Sequence, residues 1–142
     1  MNIFYILIFA FGAILGSCQR SGFQPEAIDQ DYITFGKGGG MANQVDTYYI
    51  LRNGKVYHHN KLTKEYTRLD RLNKPTRTQC FNQALALPDS VFGYNEPGNI
   101  YYFLNIHADT VKQCTWGRQQ FTPADDILSF YQYAQALTNN QP

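Results

Sequence analysis

The sequence VDTYYILRNGKVYHH, residues 45–59, carries the strongest structural signal of the chain. Val45 to Arg52 is rich in β-branched and aromatic residues, a composition typical of half-buried strands. Asn53-Gly54 is a strong two-residue hairpin signal, because both central residues of a type I′ turn need positive φ. Lys55 to His59 reads as the returning strand. This stretch therefore predicts an antiparallel hairpin.

A glycine-rich segment lies immediately before the hairpin. Tyr32 to Phe35 predicts a first strand, and Gly36-Lys37-Gly38-Gly39-Gly40 is expected to end it. The segment fits neither a phosphate-binding loop nor a dinucleotide-binding loop, since no Ser or Thr follows Lys37 and no helix follows the glycines. We expect a flexible or bulged connection. As a mobile loop, Gly38, Gly39 and Gly40 are candidates for binding a partner, together with Glu96 in a shaped turn.

A short strand and a helix are predicted after the hairpin. Glu65 to Leu69 is compatible with a further strand. The helix is expected over Lys74 to Leu87, because Asn73 is a good N-cap, Pro75 is tolerated in the first turn and Pro88 ends it. Its apolar side, at helical spacing, consists of Cys80, Phe81, Ala84, Leu85 and Leu87.

Asn99 to His107 shows the clearest strand pattern in the chain. Alternation places Ile100, Tyr102, Leu104 and Ile106 on one face of the sheet. It places Tyr101, Phe103, Asn105 and His107 on the other face. Thr110 to Trp116 is expected to pair back with this strand, while Phe92 to Gly98 is expected to form a loop.

A second helix is predicted near the C-terminus. Thr122 is the expected N-cap, Pro123 the first helical residue, and Asp125 and Asp126 favour the positive end of the helix dipole. The expected buried stripe is Ile127, Phe130, Tyr131, Ala134 and Leu137. Because strands and helices do not alternate regularly, the predicted class is α+β. We expect a single antiparallel β-sheet with two α-helices packed on one face and an open, tyrosine-rich opposite face.

The charge composition argues against partners that are bound mainly through an excess of positive charge. The formal net charge is +1, so nothing indicates nucleic-acid binding. The 11 Tyr and 10 Phe residues suit a half-buried sheet and also suit a protein-binding surface.

The residues that could carry catalysis or bind metal do not form a recognisable pattern. His58 and His59 are neighbours on a strand and point to opposite faces, so they are poorly placed to share one ion. Asp125 and Asp126 are explained by the helix dipole. We therefore predict no catalytic residue, no metal site and no cofactor. Cys80 and Cys114 form either a disulfide or two buried free thiols, and the sequence leaves both alternatives open.

The N-terminus predicts a location. Ile3 to Gly16 is an uncharged apolar run, shorter than the roughly 20 residues of a membrane-spanning helix. It ends in Leu15-Gly16-Ser17-Cys18, which resembles the lipobox of bacterial lipoproteins. The resemblance implies a signal peptide at 1–17 and lipidation of Cys18. An ordinary secretory signal and an uncleaved membrane anchor are the alternatives.

The expected organisation follows from that anchor. Residues 18–30 would form the lipidated cysteine and a flexible tether, and residues 31–142 a single α+β domain. Aspartate is absent from the position after Cys18, and in some bacteria an aspartate there retains lipoproteins at the inner membrane. We therefore expect a protein of the cell envelope, lipid-anchored to a membrane, with the outer membrane favoured.

Three segments resemble short, largely uncharacterised lipoproteins of Gram-negative bacteria. They are ITFGKGGG at 33–40, NEPGNIYY at 95–102 and TWG at 115–117. The resemblance implies a lipid-anchored envelope protein and nothing about a substrate. The order of elements, with glycines after the first strand, also looks distantly like small α+β inhibitors of metalloproteases.

Three functional hypotheses follow. The preferred hypothesis is a non-catalytic accessory module that binds another envelope protein. The second is a protease inhibitor that presents the Gly36–Gly40 loop or the Asn53-Gly54 turn. The third is an enzyme or a small-ligand binding protein with a pocket near Trp116 and Glu96.

Overall fold

The computed structural model describes residues 22–139. The predicted signal peptide at 1–17 and the lipidation site Cys18 lie outside the described residues. The strands are β1 (Tyr32–Gly39), β2 (Gln44–Leu51), β3 (Val56–Asn60), β4 (Glu65–Leu69), β5 (Asn95–Glu96), β6 (Ile100–His107) and β7 (Val111–Trp116). The helices are α1 (Lys74–Ala86) and α2 (Asp125–Asn139), and short 3₁₀ turns occupy Pro25–Ala27 and Asp89–Val91.

The strands form one seven-stranded sheet in the order β4-β3-β2-β1-β6-β7-β5. Five of the pairings, from β4 across to β7, are antiparallel. The sixth is a short parallel pair in which Asn95 and Glu96 lie beside Thr115 and Trp116. The α+β class is thus confirmed, and the sheet is mixed rather than purely antiparallel. The short strand β5 falls in the segment expected to be a loop, where two residues carry too little pattern to be recognised.

The β2–β3 hairpin forms as predicted, with a different turn. Gly54 has φ 89°, whereas Asn53 is not among the residues with positive φ. The Gly54 amide donates to the Leu51 carbonyl, and the Leu51 amide donates to the Lys55 carbonyl. This is the three-residue loop in which a glycine closes a type I turn, so the predicted type I′ turn is wrong.

The hydrophobic core lies on one face of the sheet. Ile33 pairs with Ile50 of β2 and Ile106 of β6, and Phe35 pairs with Leu104, so these side chains share a face. We call it the core face, and its opposite the outer face. The buried side chains of both helices join this cluster, contributed by Cys80, Phe81 and Ala84 of α1 and Ile127, Phe130, Tyr131 and Ala134 of α2.

The helix boundaries agree with the sequence at α1 and differ at α2. Asn73 caps α1 as predicted, with its side-chain oxygen accepting from the Thr76 amide at 2.9 Å. Leu85 was expected to be buried on α1 and is 41 % exposed. Helix α2 begins at Asp125, because the Leu128 amide donates to the Ala124 carbonyl. The predicted cap at Thr122 is therefore two residues too early.

The two cysteines of the domain are free thiols. Cys80 of α1 and Cys114 of β7 are both buried, so the disulfide alternative is wrong in this structure. Burial raises the pKa of Cys80 to about 12 and also raises the pKa of Cys114. The Cys114 thiol donates to the Leu104 carbonyl at 3.6 Å. Both groups act as small apolar core residues.

Candidate functional site

The glycine-rich segment is a strand and not a loop. Gly36 to Gly39 lie in β1 and pair with β2 on one side and β6 on the other. Only Gly40 falls in the turn that follows. Gly38 and Gly39 are thus held by the sheet, and the expectation of a mobile loop is wrong for them.

Aromatic rings of β6 explain why β1 carries glycine. On the outer face, Gly36 pairs with Phe103 and Gly38 pairs with Tyr101. A Cβ atom at Gly38 would lie 2.6 Å from the Tyr101 ring, and one at Gly36 would lie 2.9 Å from the Phe103 ring. The two rings occupy the space that side chains on β1 would need. Gly36 and Gly38 therefore let both rings lie against the backbone of the neighbouring strand.

The segments 33–40, 95–102 and 115–117 meet at one end of the sheet. The Gly40 amide donates to the Asn99 carbonyl at 2.8 Å. The backbones of Gly98 and Gly117 are in such close contact that a Cβ on either would overlap the other's segment. Glycine at these positions is required by that approach.

Glu96 lies at this same end and has a partner. Its carboxylate forms an ion pair with Arg118, with Nη1 and Oε2 2.7 Å apart. The Arg118 amide also donates to the Glu96 carbonyl. Glu96 lies on the edge strand β5, away from β1, and its carboxylate is used within the fold. Trp116, expected to line a pocket with Glu96, is only 6 % exposed and packs edge-on against Tyr131 in the core.

A polar cluster lies on the core face at this end of the sheet. Asp46 Oδ1 accepts from His58 Nε2 at 3.1 Å and from Asn60 Nδ2 at 3.2 Å. The His58 ring stacks on Tyr48, with 4.6 Å between centroids. His59 points to the other face and stacks on Tyr66, so the prediction that the two histidines diverge is confirmed. Among residues 22–139, no group of three or more His, Cys, Asp or Glu could hold a metal ion.

Part of the outer face is covered by the segment that precedes β1. The Phe23 ring stacks on Tyr57 with 3.9 Å between centroids, and it contacts Tyr49 and Tyr66 edge-on at 5.3 Å. The side chain of Gln30 accepts from the Asn53 amide at 2.9 Å. Phe23 and Gln30, both within the segment predicted as a flexible tether, therefore contact the domain.

Another part of the outer face forms an open groove over β6 and β7, and we call it the outer groove. It has a volume of about 470 Å³, and its lining residues are Gly93, Tyr94, Asn95, Tyr101, Phe103, Asn105, Gln113, Cys114 and Thr115. The register places Phe103, Thr115 and Asn95 in one row across the sheet, and Asn105 and Gln113 in the next. None of its lining residues carries a carboxylate, imidazole, ammonium or guanidinium group.

The hydrogen-bonding groups of the outer groove are largely unused within the domain. Asn105 donates to the Thr34 hydroxyl at 3.1 Å, which leaves its carbonyl oxygen available. The exposed amides of Asn95 and Gln113 form no side-chain hydrogen bond to another described residue. Each amide supplies donors and an acceptor. The groove thus combines half-exposed ring faces with neutral polar groups.

Sequence reasoning predicted part of this surface. The alternation along residues 99–107 placed Tyr101, Phe103, Asn105 and His107 on one face, and the register confirms it. The contributions of Gln113, Thr115 and Asn95 were not predicted as a site, because they depend on the pairing of β7 with β6 and β5. Within residues 22–139, no helix is both long enough and apolar enough to cross a membrane. Neither models of known protein families nor curated protein sequences produced a match to this chain.

Proposed function

We propose that this protein is a non-catalytic binding module of the cell envelope, lipid-anchored through Cys18, and that the outer groove is its binding surface. The observation that carries the proposal is the groove itself, where exposed, unpaired amides stand beside half-exposed aromatic rings. Polar groups that converge in a concave, partly apolar site are characteristic of ligand recognition. Another envelope protein as the partner, and an outer-membrane location, stay predictions from the sequence.

The anchoring part of the proposal draws on the sequence around Cys18 and on the packing of Phe23. If Cys18 is the first residue after cleavage, five peptide units separate it from Phe23, whose ring is held on the domain. Fully extended, those units span about 17–18 Å. The domain would thus be held close to the membrane. A flexible tether that extended to Gln30 would allow the domain to move farther from the membrane.

The anchor is tested by mass spectrometry and fractionation. Wild-type protein is expected to carry acyl mass on Cys18 and to sediment with membranes, and Cys18→Ser is expected to lack that mass. Wild-type protein without acyl mass on Cys18 would contradict the anchor and leave the binding proposal to its own test.

The binding surface is tested by photo-crosslinking in cells. A photoreactive residue is placed at Gln113 in the groove and, as a matched control, at Gln79 on the exposed side of α1. We expect a specific adduct from position 113 and none of it from position 79. Equal recovery from both positions, or no adduct from position 113 together with no ligand bound directly by the folded protein, would overturn the assignment of the groove.

The protease-inhibitor hypothesis has less support from the geometry. Gly36–Gly39 are paired on both sides within the sheet, so they do not form a free insertion loop. We expect that adding this protein in stoichiometric amount leaves the activity of metalloproteases and serine proteases unchanged.

A further inference from the structure

We infer that the outer groove binds a neutral oligosaccharide, a conclusion that rests on the proposed function of this chain as a binding module. The argument uses three properties of the groove: its fixed ring faces, its unpaired amides and its lack of charge.

The ring faces are fixed before any ligand arrives. Tyr101 and Phe103 occupy the space above Gly38 and Gly36, so each ring has the sheet backbone on one side. Both residues are half-buried, which leaves part of each ring accessible. A pyranose ring has an apolar C–H face that packs against an aromatic ring, whose face carries a partial negative charge. Little side-chain entropy is lost on binding because the rings are already held.

The amides supply the matching polar contacts. A sugar carries hydroxyl groups around the edge of its ring, and each hydroxyl both donates and accepts a hydrogen bond. The Gln113 and Asn95 amides offer the same pair of functions, and the Asn105 carbonyl oxygen offers a further acceptor. Asn95 lies in the same row as Phe103, and Gln113 and Asn105 lie in the next row. A ligand on the rings would therefore meet amides along its edge.

The absence of charge in the lining selects among ligand classes. Phosphate and carboxylate ligands are commonly bound by Arg or Lys, and cationic ligands by carboxylates. The lining residues of the outer groove supply neither kind of charge. Tyr101 and Asn105 are four residues apart on β6, about 13 Å along the strand. This length exceeds one pyranose ring and fits an oligosaccharide. The volume also lies in the range of small-ligand sites.

The test uses the full-length protein in detergent micelles. It is screened on an array of neutral and acidic glycans, and the best neutral oligosaccharide is titrated by calorimetry. We expect binding to a neutral glycan. Phe103→Leu keeps an apolar side chain but removes the ring face, and is expected to weaken binding about tenfold or more. Phe103→Tyr should bind as the wild type does.

Two exposed glutamines provide a matched pair that leaves the core intact. Gln113→Ala is expected to weaken binding several-fold, whereas Gln79→Ala on α1 should have no effect. No neutral glycan bound by the folded protein, a preference for acidic glycans, or equal losses from Gln113→Ala and Gln79→Ala would each overturn the inference. If position 113 still crosslinks a specific protein in cells while no glycan binds, the saccharide inference fails and the binding module stands. If neither occurs, both fail.

Discussion

At the scale of single residues, the glycines of β1 have a steric role. Gly36 sits where a Cβ would overlap the Asp46 carbonyl oxygen of β2 and press on the Phe103 ring. Neither backbone nor ring can move freely, because β1 is paired on both sides. Sequence alone suggested flexibility for these glycines, and the structure shows close contact instead.

Gly36→Ala is therefore expected to destabilise the domain by about 1–3 kcal/mol, the usual cost of overpacking a filled site. Gly22→Ala is the matched control, because a Cβ at Gly22 meets nothing within 4 Å. The measurement is the free energy of unfolding in urea. Equal stability of the two variants would show that the Asp46 carbonyl and the Phe103 ring do not confine the backbone at Gly36.

His107 makes stability depend on pH. Burial lowers the pKa of His107, whose ring stacks on Tyr32 with 4.1 Å between centroids. The unfolded chain, with an imidazole pKa of about 6.5, then binds the proton more readily than the folded protein. The contribution of His107 to folding stability is therefore fully present above about pH 6.5 and falls as the pH drops below that value.

We therefore expect the midpoint of urea unfolding to fall between pH 7 and pH 5, and to fall less in His107→Phe. The phenylalanine keeps a ring beside Tyr32 and does not titrate. If the urea midpoints of the two proteins changed equally with pH, His107 would not contribute to the pH dependence of stability.

At the scale of elements, the segment before β1 belongs to the domain. Its aromatic contact through Phe23 and its polar contact through Gln30 tie it to the outer face and to the β2–β3 turn. The turn is further tied to residues before α1, since Arg71 donates to the Asn53 carbonyl at 2.7 Å. These contacts join residues far apart in the chain, so composition could not reveal them.

Phe23→Ala is expected to release this segment and to cost about 1–2 kcal/mol, given its half-buried ring and stacking. Hydrogen exchange of the amides between residues 23 and 31 should become faster. Gln24→Ala, an exposed neighbour, should leave exchange unchanged. Slow exchange in Phe23→Ala would show that Phe23 does not hold the segment.

At the scale of the whole molecule, α1, α2 and the core face share one hydrophobic cluster. Tyr131 links α2 to the middle of the sheet, because its hydroxyl donates to the Gly36 carbonyl at 3.0 Å. Cys80 and Cys114 belong to this cluster. Their exposure therefore requires opening of the core.

Both thiols are expected to resist maleimide at neutral pH in the native protein and to react fully in guanidinium. Burial is the reason, since it limits access and raises the pKa of both groups. Peptide mass mapping assigns the label to each cysteine. Recovery of a peptide pair joined through Cys80 and Cys114 would contradict the free thiols.

The sequence by itself determined the elements with strong local signals. Alternation defined β6 and its two faces, Asn53-Gly54 located the hairpin, and Asn73 with Pro75 located the start of α1. These signals are short-range, because backbone preference and side-chain direction depend on neighbouring residues. Local signals fail where tertiary pairing overrides them. Glycine favours turns, but Gly36–Gly39 form a β-strand because they pair with a strand on each side.

Only the tertiary structure decided which residues share a surface. The outer groove joins β6 to β7 and β5, and its rings occupy the space that side chains would need at the facing glycines of β1. Cys80 and Cys114 are free thiols within the shared hydrophobic cluster, a state that the sequence had left open. Sequence spacing gives the separation of residues along the chain, whereas a binding site depends on distances in space between residues of different strands.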